Sequence, residues 1–246
     1  MERIVEICCG SYEDALQAQA GGATRIELNS GLHLGGLTPS LGTLMLTKEH
    51  TSLKVIAMVR PRGAGFCYSE DEFLVMLKDA EILMENGADG LAFGCLKEDG
   101  IIDIEKNKAI IDMIKKYQGE AVFHRAFDCV QDTDKAMEIL IDLGVDRLLT
   151  SGLQPKAMDG KAIIKQLQEK YGQKIEILAG SGINASNARE MMDDTGIYQV
   201  HSSCKDWVND PTTIGKVVSF EYATDPHQSD YDVVSLEMVK KIVKSL

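Results

Sequence analysis

The chain has 246 residues, 44% hydrophobic and 26% charged, which is the usage of an ordinary folded domain and excludes a disordered or fibrous protein. Its 26 Lys+Arg against 38 Asp+Glu give a formal net charge of −12, which argues against nucleic acid as a partner, because binding there needs a basic stripe to displace counterions. A small anionic ligand held by a few local arginines is still allowed. No run reaches the roughly 18 apolar residues of a membrane span. Met1-Glu2-Arg3 leads straight into a strand-like segment without a secretory pattern. The six cysteines are scattered, with no C-x-x-C pair, so reduced thiols and a cytoplasmic location are expected.

Taken in chain order, the first strand is expected at 4–8 and the second at the end of 22–28. A third follows at 54–59. Apolar residues then recur at three- and four-residue spacing over 72–86, where Phe73, Leu74, Met76, Leu77, Ala80, Ile82, Leu83 and Met84 predict one broad buried helical face. The fourth strand ends the run 87–93 and the fifth is 121–124. A second amphipathic helix spans 133–143, followed by strands in 144–149, 174–178 and 196–200. Gly22, Gly87, Gly144 and Gly196 each stand between a helical stretch and an apolar strand, the place of a left-handed residue past a helix C-terminus. Strict alternation of strand and helix implies a parallel sheet. Eight strands without an obvious edge favour closure into one (β/α)8 TIM-type barrel over a doubly wound sheet, and no G-x-G-x-x-G follows strand one. We read residues 1–246 as a single domain, with a barrel core at about 3–204 and an irregular C-terminal extension at 205–246. Within the extension, 209–232 reads as a long excursion and 235–246 as a closing amphipathic helix. Phe220, Tyr222 and Tyr231 are candidates for packing or for contact in a homodimer.

The active site of such a barrel lies at the carboxyl ends of its strands. Glu6 and Glu27 interrupt apolar strands and need buried partners, for which Arg60, Arg62 and Arg125 are the candidates. His124 is the expected acid or base, since its ordinary pKa lies near neutrality. Asp128, Glu6 and Glu27 are the carboxylates that could work with it. Ser151, Gly180-Ser181-Gly182 and His201-Ser202 follow strands six, seven and eight and resemble a loop site for a phosphate, with Asn184 as cap of the next helix. Of the cysteines, Cys8 shares the inward face of strand one with Glu6 and is the candidate metal ligand.

Several blocks resemble the CutC copper homeostasis family: Glu6-Ile7-Cys8, Gly21-Gly22-Ala23-Thr24-Arg25-Ile26-Glu27-Leu28, Gly35-Gly36-Leu37-Thr38-Pro39-Ser40, Arg60-Pro61-Arg62-Gly63, Phe123-His124-Arg125-Ala126-Phe127-Asp128, Leu149-Thr150-Ser151-Gly152 and His201-Ser202-Ser203. The resemblance implies a TIM-type barrel, a cytoplasmic location, copper tolerance and Cu(I) binding. It also marks a departure. The family commonly has a cysteine after the Ile-Glu-Leu of strand two, and this chain has Asn29. Cys8 is then the one sulfur placed for Cu(I), and an amide oxygen is a poor ligand for that ion. No motif for an organic cofactor is present. Copper handling is the expected role. The alternatives are an enzyme acting on a small anionic, phosphorylated metabolite through His124, and a non-catalytic barrel with a ligand pocket.

Overall fold

The computed structural model describes residues 2–246. Eight strands close into a parallel barrel: β1 (Ile4–Cys9), β2 (Arg25–Leu28), β3 (Lys54–Met58), β4 (Gly90–Phe93), β5 (Glu120–Phe123), β6 (Arg147–Thr150), β7 (Glu176–Ala179) and β8 (Gln199–Ser202). β1 pairs with both β2 and β8, which completes the ring. Helices α1 (Tyr12–Ala20), α2 (Leu41–His50), α3 (Glu70–Glu85), α4 (Ile104–Lys116), α5 (Thr133–Leu143), α6 (Lys161–Tyr171) and α7 (Ala188–Thr195) connect successive strands. The four glycines after α1, α3, α5 and α7 have φ between 79° and 95°, as their position in the sequence implies. Among the described residues, no helix is long and apolar enough to cross a membrane.

The extension is more regular than its sequence suggests. β9 (Lys205–Asn209) and β10 (Asp230–Val234) form an antiparallel hairpin, and α8 (Leu236–Ser245) follows. Asp14 of α1 fastens this hairpin to the barrel: its Oδ1 accepts the Val234 amide at 2.7 Å and its Oδ2 the Gly10 amide at 2.9 Å. Tyr222 stacks between His33 and Trp207, whereas Phe220 stands 79% exposed. Asn184 forms a local turn with Ser186, and α7 begins at Ala188 after Asn187.

Side chains alternate across each strand. The outward set, such as Ile7, Ile26, Val55 and Leu91, joins the main core beneath the helices. The inward set is divided. Ile56, Met58, Ala92 and Val122 make a small apolar cluster on one side of the barrel, and the other side is ionic. Arg25 donates to Glu6 through Nε at 2.6 Å and to Gln199 through Nη2 at 2.6 Å. Arg147 donates to Glu176 at 2.9 Å and to Glu120 at 3.0 Å, and its Nη1 lies 3.9 Å from Glu6. The partners of Glu6 are therefore Arg25 and Arg147, not the expected Arg60, Arg62 or Arg125. The register explains this, because Glu6 sits beside Arg25 on β2 and His201 on β8, below the rim.

Removing one partner of a buried ion pair strands the other in a medium of low dielectric, at about 3–5 kcal/mol. Arg147→Met is expected to lower unfolding stability by that amount in urea titration. A loss under about 1 kcal/mol would show that Arg25 alone neutralises Glu6.

Candidate functional site

A cavity of about 570 Å³ opens at the carboxyl ends of the strands. Cys8, Glu27, Asn29 and His201 form one side of it, Arg60 and His124 another, and Lys205 and Val233 of the hairpin close the outside.

On the first side, β1, β2 and β8 bring Cys8, Glu27 and His201 together, with one ligand atom of each within 4.8 Å of the others. Glu6 aims the histidine. Its Oε1 accepts from His201 Nδ1 at 2.9 Å, which turns Nε2 toward Glu27 Oε2 at 4.0 Å. The Cys8 thiol donates to the same Glu27 oxygen at 3.9 Å, and Asn29 Nδ2 donates to it at 3.0 Å. Burial favours a neutral Glu6, but Arg25, His201 and Arg147 outweigh it and hold the carboxyl at about 2. Burial likewise opposes a charged His201, yet Cys8, Glu27 and the bond to Glu6 keep its pKa well above the ordinary value. Burial raises Glu27 and pushes the Cys8 thiol up to about 11.

His124 ends β5 and is built differently. Its Nδ1 accepts the Ala126 amide at 3.2 Å, so the neutral ring carries its proton on Nε2. Phe66 covers the ring at a centroid distance of 5.0 Å. Gly94 of the next loop makes room, since a Cβ there would lie 2.7 Å from Nδ1. Burial and the Arg60 charge lower the His124 pKa to about 3. As placed, the neutral His124 ring offers a hydrogen-bond donor at neutral pH.

The remaining expected residues divide. Arg60 is buried at the cavity wall, with its terminal nitrogens on the carbonyls of Leu34, Gly36 and Ala64. Arg62 turns outward to Glu72 of α3 and does not line the cavity. Arg125 donates to Asp128 and Ser151 at 2.8 Å, and the Ser151 amide and hydroxyl both donate to Asp128, so Asp128 braces the β5 and β6 loops. Ser181 and Gly182 line the cavity, while Ser202 turns away to the Ile183 carbonyl and Gly180 packs against Leu149 and His201. The residues that sequence reasoning missed are Arg25 and Arg147, which hold Glu6 and through it His201, and Gln199, which bridges Arg25 to Glu176. Their signal was period two: Arg25, Glu27 and Asn29 share a face, as do Gln199, His201 and Ser203.

His124 gives a pH prediction. Folding moves its pKa from 6.5 to about 3, so the unfolded chain binds more protons between these values. Stability is complete above pH 6.5 and falls as the pH drops toward 3. The contribution of Glu6 begins only below its ordinary 4.5. Between pH 6.5 and 4.5, stability from urea unfolding is expected to fall by about 2 kcal/mol through His124, and His124→Phe to remove that slope. An unchanged slope in the variant would contradict a neutral buried ring.

Comparison with known proteins agrees with this architecture. Residues 3–206 match the model of the CutC family. A family protein CutC of Treponema denticola is 46% identical over 243 residues, covering 98% of both chains. The copper homeostasis protein cutC homolog of Homo sapiens is 41% identical over 202 residues, 82% of this chain and 73% of that one. The crystal structure of a CutC protein from Streptococcus agalactiae superposes with a TM-score of 0.77 at 29% identity, over 82% of this chain and 98% of that one. On the family match and these identities, the chain belongs to the CutC family.

Proposed function

We propose that this chain serves copper homeostasis in the cytoplasm by holding a copper ion at the barrel mouth, between Cys8 Sγ and His201 Nε2 with Glu27 alongside. The human and mouse relatives carry copper homeostasis in their names. The observation that carries the reading is the Glu6–His201 bond, since a metal-binding imidazole is commonly oriented by a carboxylate on its other nitrogen. Thiolate and imidazole suit copper, whereas the Glu27 oxygen is a harder donor. Ligands about 2.0–2.3 Å from one ion stand at most about 4.6 Å apart, so a cluster within 4.8 Å needs little closing. Six free cysteines, none in a disulfide among the described residues, suit a reducing compartment.

The fit has two chemical consequences. With its thiol at about 11, Cys8 must release a proton on binding, and so must His201, whose raised pKa keeps the ring protonated, so affinity rises with pH. A single sulfur also makes a weaker Cu(I) site than a pair. Competitive Cu(I) titration is expected to give one equivalent per chain, weakened about ten-fold or more by Cys8→Ser and by His201→Gln. Asn29→Cys is expected to tighten it. Undiminished binding in both of the first two variants would remove this site.

A further inference from the structure

The mouth cavity presents more polar atoms than an ion at Cys8 and His201 would use. Arg60 Nε, His124 Nε2, Glu27 Oε1 and Asn29 Oδ1 have no hydrogen-bond partner, although their residues are only 5%, 3%, 3% and 1% exposed. All four residues line this one cavity, with Asn29 Oδ1 close over Gly36, and the Tyr68 hydroxyl, also without a partner, lies beside Arg60. A buried polar atom left unpaired costs about 1–3 kcal/mol, and several gathered on one cavity mark a place where a ligand supplies the partners.

Their chemistry is complementary in a defined way. Arg60 Nε and His124 Nε2 donate, the second because Nδ1 already accepts from Ala126. Asn29 Oδ1 accepts. Arg60 cannot swing to another partner, because three backbone carbonyls hold its other nitrogens. The group that satisfies this set bears both acceptor oxygens and hydroxyl hydrogens. Phe66 lies against both donors, 5.0 Å from the His124 ring and 5.3 Å from the Arg60 guanidinium carbon, and must move aside as the ligand enters. At the rim the chemistry changes. Lys156 after β6 lies along Gly182 after β7, so close that a Cβ on that glycine would sit 2.8 Å from Lys156 Cδ. Ser181 and Ser203 line the cavity beside them. The exposed Lys156 lies across Gly182 with its ammonium at the rim, and a cation beside two serines suits a phosphate group.

We propose that the barrel mouth binds a phosphorylated small polyhydroxy compound, its phosphate at Lys156, Gly182 and Ser203 and its hydroxylated end at Arg60, His124 and Asn29. The cavity of about 570 Å³ accommodates a molecule of that size. The proposed copper ligands line the same cavity and Asn29 Nδ2 donates to Glu27, so the two sites adjoin, but the phosphate end at Lys156 lies outside the copper cluster and lets experiment tell the two readings apart.

Calorimetric titration of the full chain tests it with 3-phosphoglycerate, glycerol 3-phosphate, ribose 5-phosphate and glucose 6-phosphate, each against its unphosphorylated form. At least one phosphorylated probe is expected to bind about ten-fold or more tightly than its counterpart. Lys156→Ala, a surface change that leaves the core intact, is expected to abolish that preference, and His124→Phe to weaken binding of the same probe. Lys156→Ala is also expected to leave the affinity for Cu(I) unchanged, so that failure of one reading is told apart from failure of the other. Absence of binding by all four probes, or a phosphate preference that survives Lys156→Ala, would overturn the proposal.

Discussion

A carboxylate on the axis of a closed barrel has no water to neutralise it, and the placement of Glu6 governs much of this molecule. Its charge is balanced by Arg25 from β2 and Arg147 from β6, while its second oxygen accepts a hydrogen bond from His201 Nδ1 of β8. Four strands thus meet at one side chain. A one-residue slip of any of them would turn its polar residue outward into the apolar layer beneath the helices and strand the remaining charges. Replacing such a network by apolar residues is often neutral or stabilising, so its strength is not what justifies it. What it supplies is a unique register, and with that a fixed direction for the His201 ring.

The same barrel holds two histidines in opposite states. His201 lies among carboxyls and a thiol, which keep its proton, whereas His124 lies between Phe66, Gly94 and the Arg60 charge, which exclude it. Environment rather than residue type assigns the roles. One ring faces the Cys8 and Glu27 cluster, and the other offers a single N–H across the cavity. The apolar cluster of Ile56, Met58, Ala92 and Val122 lies inside the same barrel, so the ionic half is not a general property of its interior.

Much of the fold was legible because it is written locally. Strand–helix alternation and the four glycines past helix ends need no long-range information, and they led to a closed (β/α)8 barrel. Glu6, Cys8, Glu27, His124 and His201 stood out as polar residues at strand positions otherwise apolar. Their pairing was not legible. The arginines expected as partners stand at the strand ends of the rim, but partners across a barrel are set by register, and Arg25 meets Glu6 because β1 and β2 pair with those residues side by side. The outward turn of Arg62 depends on the path of its loop to Glu72, which no periodicity records. The hairpin of β9 and β10 was missed because twenty residues separate its strands, far more than the roughly two to five of a hairpin loop that can be recognised locally.

That hairpin gives the cavity wall two kinds of support. The family match ends at residue 206, yet Asp232, Val233 and Val234 from beyond it stand at the mouth, held there by Asp14 on the first helix. The floor is built from strands whose register the ionic network dictates and which tolerate little change. The outer wall hangs from a backbone amide, and an amide is present whatever side chain occupies position 234, proline excepted. A lineage could therefore remodel the entrance, and with it which molecules are admitted, while leaving every residue of the barrel floor untouched.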